Sequence, residues 1–125
     1  MIGKIAASLF VATLAAVPAV ISAQASGPDG AAVFRQRCAA CHSVAPAARA
    51  VLAPNLAGVV GRKAGSTAFN YSTALKNSNL VWNRANLDRY LTAPARTVPG
   101  TRMVVSVTDA AQRAALLNYL TRPTR

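Results

Sequence analysis

Two kinds of apolar spacing divide the chain. From Ile5 to Val17 apolar residues run almost unbroken after Lys4, whereas beyond Ser26 they recur at helical spacing within short segments. Phe34 stands four residues from both Gly30 and Cys38 and seven before Cys41, which predicts one face of a helix over about 30–41. Leu87, Tyr90 and Leu91 share a face of a helix capped by Asn83 and running to about Thr92, with Pro94 discouraging its continuation. A last helix is expected to begin near Thr108 as N-cap, with Asp109 beside the positive end of its dipole and Leu116, Leu117 and Leu120 on one face. A short helical turn fits residues 72–77.

Between these segments the pattern fails. Residues 43–65 are rich in Ala, Pro and Gly without a sustained period and read as a loop with turns at Pro54-Asn55 and Gly58 to Gly61. A second irregular stretch carries Pro99-Gly100 as a turn. Val104 and Val105 look extended, but the run is too short to predict a sheet. The expected fold class is therefore all-α with much irregular backbone, and loops this long in a small domain need something to wrap around.

The N-terminal stretch changes the picture of where the chain works. A positive start, the apolar run and Ala23-Gln24-Ala25 make a secretory signal with a small-residue cleavage site. The reading is a cleaved leader over 1–25 and one domain over 26–125, exported to a bacterial periplasm. The alternative is a retained anchor, since the apolar stretch approaches the ~20 residues that span a bilayer. Ser8, Thr13, Pro18 and Ser22 interrupt it, so a membrane tether is not expected.

Charge narrows the partners. With 14 basic and 3 acidic residues the chain carries a formal +11, lowered by one with the loss of Lys4. Such a field speeds encounter with acidic surfaces in a salt-dependent way. The arginines are scattered from Arg35 to Arg125 with neither a basic run nor an aromatic-interleaved ladder, which argues against nucleic acid.

Chemistry concentrates in Cys38-Ala39-Ala40-Cys41-His42, the attachment sequence of a c-type haem. Cysteines three apart on a helical turn can reach two vinyl groups along one porphyrin edge, and the next residue offers its imidazole to the iron. A closed structural zinc site lacks a soft fourth ligand beyond two cysteines and one histidine, and a disulfide redox pair would open a helix after a strand. His42 is the single histidine, so a bis-histidine site within one chain is excluded. Met103 is the one methionine left after the leader goes, and it lies in an irregular segment able to carry a side chain across a haem. A thioether ligand favours ferrous iron and closes the sixth position.

The order and spacing of these stretches resemble class I cytochrome c, the mono-haem electron carrier, over nearly all of 30–121. The resemblance rests on Gly30 and Phe34 before the Cys38 to His42 motif, Pro54-Asn55-Leu56, Gly61 to Gly65, Phe69 to Ser72 and Trp82. It continues in Leu87 with Tyr90-Leu91, Pro94, Pro99 to Met103, and Leu116 with Tyr119-Leu120. It implies helices at the two ends packed together, through Gly30, Phe34, Leu116 and Tyr119, with loops wrapping one covalent haem c. It further implies thioether attachment at Cys38 and Cys41 and iron ligation by His42 and Met103. Pro54 would accept from the free nitrogen of His42, Tyr71 and Trp82 would bond a haem propionate, and Arg62 would balance that charge. Tyr90 and Thr101 would tune the Met103 side, and Leu56 and Leu91 would line the haem pocket.

Three departures stand out. The glycine usual before the Pro-Asn-Leu turn is Ala53, which costs energy if the position needs a positive φ. Leu75 replaces a common polar residue near Tyr90. The usual lysine ring is represented mainly by arginines, including Arg96 and Arg102, which adds bidentate pairing to carboxylates. The expected function is one-electron transfer rather than enzyme catalysis, by a monomer docking on acidic redox proteins: a dehydrogenase or bc-type complex as donor, an oxidase or reductase as acceptor. A haem sensor or peroxidase-like enzyme with Met103 displaced is the rival, weakened by the missing distal base.

Overall fold

Four of the five described helices start at a polar N-cap, and these caps fix where they begin. The computed structural model describes Gly3, residues 26–49 and residues 52–122. Gly3 apart, the expected leader lies outside the described residues. The helices are α1 (Gly30–Arg37), α2 (Thr73–Asn77), α3 (Arg84–Thr92), α4 (Pro94–Thr97) and α5 (Ala110–Leu120). Among the described residues no strand forms, and the one extended pairing is an antiparallel bridge between Lys63 and Val81. The all-α expectation holds.

Asp29 opens α1 by accepting from the Ala31 amide at 3.1 Å, and Asn83 opens α3 through the Asn86 amide at 2.8 Å. The cap of α5 is Asp109, one residue beyond the expected Thr108. Its carboxylate accepts from the Gln112 amide at 2.7 Å. A charged acceptor at the positive end of the dipole outcompetes a hydroxyl. α1 also stops earlier than the apolar spacing suggests. The amides of Cys38 and Ala39 both fall on the Phe34 carbonyl, at 2.8 and 2.9 Å, which closes the helix. Residues 38–42 then form a separate turn, with Cys41 and His42 amides on the Cys38 carbonyl at 3.0 and 2.9 Å. Pro94 ends nothing by itself: α3 has finished at Thr92, and the proline starts α4 at its first position, where its missing N–H is harmless.

α1 and α5 cross at very short range. A Cβ on Gly30 would stand 2.1 Å from the Ala115 carbonyl oxygen and 2.8 Å from the Tyr119 Cβ. The crossing brings Val33 and Phe34 into one core with Leu116, Leu117 and Leu120, and stacks Phe34 against Tyr119 with ring centroids 5.6 Å apart. α3 joins the same core through Leu87, Tyr90 and Leu91 and is tied to α5 by the Arg113–Asp88 ion pair at 2.8 Å. Ala53, suspect on sequence grounds, has no positive φ; among the described non-glycine residues only Asn79, at 54°, does. The turn before Pro54 thus tolerates a side chain.

Gly30→Ala forces the two helices apart against backbone rather than a flexible side chain. Denaturant unfolding of the haem-loaded protein should show a loss of about 2–4 kcal/mol, at the severe end for a single added methyl.

Candidate functional site

The described loop residues 43–49 and 52–72, together with 98–107, meet the helical core around a cavity of about 300 Å³ walled largely by carbon. The motif turn forms one part of that wall. Cys38 is buried and Cys41 exposed, and both sulfurs are free. Burial pushes the Cys38 thiol up from its ordinary value, against a smaller opposite pull from Arg37. A redox-active pair or a zinc ligand needs the opposite shift. Among the described residues no group of three or more His, Cys, Asp or Glu could hold a metal on its own.

His42 is positioned by the next loop. Its Nδ1 lies 2.7 Å from the Pro54 carbonyl oxygen, and since a carbonyl can only accept, Nδ1 carries the proton. Nε2 is then left with its lone pair. Burial lowers the His42 pKa, outweighing the hydrogen bond to Pro54 that would raise it, so the ring is neutral at physiological pH. Pro54 is itself held where Asn55 donates to the carbonyls of Ala45 and Ala48 at 2.7 and 2.9 Å.

Arg62 and Trp82 reach the cavity from one local pairing: the Trp82 amide donates to the Arg62 carbonyl at 2.8 Å, and the Gly61 amide donates to the Trp82 carbonyl at 3.0 Å. The Arg62 guanidinium bonds the carbonyls of Asn55 and Ala57, at 2.8 and 3.1 Å, and among the described residues it makes no ion pair. Trp82 is buried, and among the described residues its indole N–H has no protein partner and is not sealed from the cavity. Tyr71, also on the wall, shares a 2.6 Å bond with Thr67. A positive group and an unpartnered N–H in a carbon-lined cleft suit the acid end of a largely apolar group.

The Met103 side is built on Tyr90. Its hydroxyl and Thr101 Oγ1 are 2.6 Å apart, and the same oxygen accepts a long 3.4 Å contact from the Met103 amide. Upstream, Gly100 adopts φ 92° and comes so near α2 that a Cβ would stand 3.0 Å from that of Ala74. Leu56, Leu75 and Leu91 complete the nearby wall. All twelve residues expected at the site therefore border this one cavity. Sequence reasoning had not placed Leu116 and Leu120 there, having given their face to helix packing alone. It also missed Arg37, Leu52, Val59 and the exposed pair Val104 and Val105, although Arg37 directly precedes Cys38, which was a usable signal for it.

A neutral imidazole, a thioether and two free thiols around an apolar slot, with a cation and an N–H donor at one part of its wall, are the donor set of a covalently bound haem. The comparisons agree. The cytochrome c family model matches residues 28–122. Cytochrome c2 of Rhodomicrobium vannielii is 47% identical over 103 residues, covering 79% of this chain and 82% of that one. Cytochrome c of Theileria annulata is 40% identical over 104 residues, covering 82% and 90%. Among solved structures, cytochrome cH from Methylobacterium extorquens superposes with a TM-score of 0.67 at 37% identity, covering 73% of this chain and 92% of that one. This chain belongs to the cytochrome c family, whose members are electron carriers with one covalent haem c and not enzymes.

Burial holds the Tyr90 hydroxyl above the ordinary 10.0, against the smaller lowering by its bond to Thr101. The folded state then keeps its proton where the unfolded chain loses it. Its contribution to stability is full below pH 10.0 and is lost as pH rises through the higher folded value. Tyr90→Phe should abolish that part of the alkaline loss, measured as denaturant midpoints on either side of pH 10.

Proposed function

We propose that the domain over 26–125 is exported to the periplasm and carries single electrons on a haem c joined to Cys38 and Cys41, with His42 and Met103 as axial ligands. The observation that carries the ligation is the Pro54 carbonyl on His42 Nδ1, which leaves Nε2 as the donor in a cleft also lined by Met103. When bound, the haem supplies reversible exchange of one electron between ferric and ferrous iron. The protein's own groups then set the conditions. Pro54 orients the imidazole and makes it a stronger donor. Trp82 and Tyr71 offer hydrogen bonds to a propionate, Arg62 lowers the cost of keeping that charge in the cleft, and Leu56, Leu75 and Leu91 keep water from the ring.

Docking is proposed at the mouth, where Leu52, Val104 and Val105 are exposed and Arg37 and Arg102 border the opening. All three acids are committed elsewhere: Asp29 and Asp109 cap helices and Asp88 pairs with Arg113. A partner with an acidic rim and an apolar centre fits this surface, and steering by charge gives fast association with fast release. Such a partner is a donor dehydrogenase or bc-type complex, or an acceptor oxidase or reductase.

The deciding measurement is the visible spectrum of the oxidised protein, where a weak far-red band reports thioether on ferric iron. Met103→Ala should keep the haem attached but lose that band, turn high-spin and bind carbon monoxide; a variant that stays low-spin assigns the sixth ligand to another residue. Electron exchange with an acidic redox protein should slow several-fold as ionic strength rises, read by stopped flow, and a flat salt profile would remove charge from the docking account.

A further inference from the structure

The chain leaving Met103 toward α5 is poorly anchored. Val104 is 91% exposed, and among the described residues no backbone hydrogen bond ties residues 104–106 to the rest of the fold. The thioether of Met103 is therefore held by whatever fixes the two ends of this segment. The near end is fixed by the Tyr90–Thr101 bond, by the seat of Gly100 on α2 and by Arg102, which donates to the Asn70 carbonyl. The far end is fixed at Val107 and Thr108. There the Val107 amide donates to the Leu91 carbonyl at 2.7 Å, and one side chain does the rest.

That side chain is Arg113. Its Nη1 donates to the carbonyls of Val107 and Thr108 at 3.0 and 2.9 Å, while its Nε donates to Asp88 Oδ1 at 2.8 Å. Its side chain is 12% exposed. Among the described residues this is the only ion pair, and Asp88 is the one acid not used as a helix cap. The charge on Asp88 fixes the plane of the guanidinium from α3, and the guanidinium in turn fixes two successive carbonyls of the loop from α5. A planar fork can satisfy three acceptors on two sides at once, whereas an ammonium is a compact point charge without fixed directions.

We propose that Arg113, oriented by Asp88, is the positioning residue for Met103: it closes the far end of the ligand loop and so sets how often the thioether leaves the iron. This rests on the reading of Met103 as axial ligand. Fold stability alone does not explain the arrangement, because α5 is already held by its core leucines and by the crossing at Gly30. The extra bonds go to the loop.

The test uses the haem-loaded ferric protein and cyanide, which can bind only when the sixth position opens. Arg113→Lys and Asp88→Asn are compared with substitutions of Leu117, a buried α5 residue that does not border the cavity, chosen to give the same loss of stability in denaturant. Both loop variants should take up cyanide about tenfold faster than the matched Leu117 variant, the equilibrium equivalent of one charge-assisted hydrogen bond. Their far-red band should also fade at lower temperature than global unfolding. Equal cyanide rates in loop and Leu117 variants, with the band present in the parent protein, overturn the positioning role alone. A parent protein without the band overturns the ligation reading and this inference together.

Discussion

The approach of α1 to α5 at Gly30 is the constraint from which the rest follows. No other residue type leaves room for the Ala115 carbonyl, and the crossing fixes two things that belong to different parts of the site. α1 ends in the turn that presents Cys38, Cys41 and His42, and α5 carries Leu116 and Leu120 to the cavity wall. A shift of one helix on the other therefore moves the attachment turn relative to the apolar wall. Close packing transmits such displacements rather than absorbing them.

In the loops between the helices the backbone has little ladder to satisfy it, and side chains take over that role. Asn55 and Arg62 bond four carbonyls of the loop around Pro54, and Arg113 bonds two in the loop after Met103. Buried polar backbone must find partners somewhere, and in an irregular chain long donors are the means. Arg62, engaged only with carbonyls, keeps its charge, because a carbonyl does not neutralise a guanidinium; Arg113 gives its charge to Asp88. The same composition that holds the loops thus produces the positive field outside.

Much of this was legible in the sequence because the relevant signals are local. The motif turn, the Asn83 cap, and the shared face of Leu87, Tyr90 and Leu91 each depend on spacing within a few residues, and each appears where expected. Boundaries failed where two local signals competed. Thr108 and Asp109 are both good caps, and only the charged one is used; Cys38 to Cys41 continues the apolar face of α1 while its amides double on Phe34 and end the helix. The rest of the cavity border was not legible, since Leu52 and Val59 reach it by the path of the loops rather than by any period. The Ala53 departure shows the limit from the other side: a missing glycine matters only if the backbone needs it, and here φ is ordinary.

Loop anchoring also explains why a carrier can be rigid near the metal and open at the rim. The His42 side is held by a short bond to a proline, a residue with few backbone alternatives, inside a loop pinned by Asn55. The Met103 side is held through hydroxyls and the guanidiniums of Arg102 and Arg113, with an exposed Val104 next to Met103. Local opening free energy follows the number and burial of such contacts, so the two sides of the cleft differ in how readily they open. In the proposed docking, exposure at Val104 and Val105 supplies the apolar contact, and the cost of that exposure falls on the same segment that positions Met103. An anchor placed beyond the exposed residues, at Val107 and Thr108, reconciles the two demands, because it restrains the segment without covering the surface used in the proposed docking.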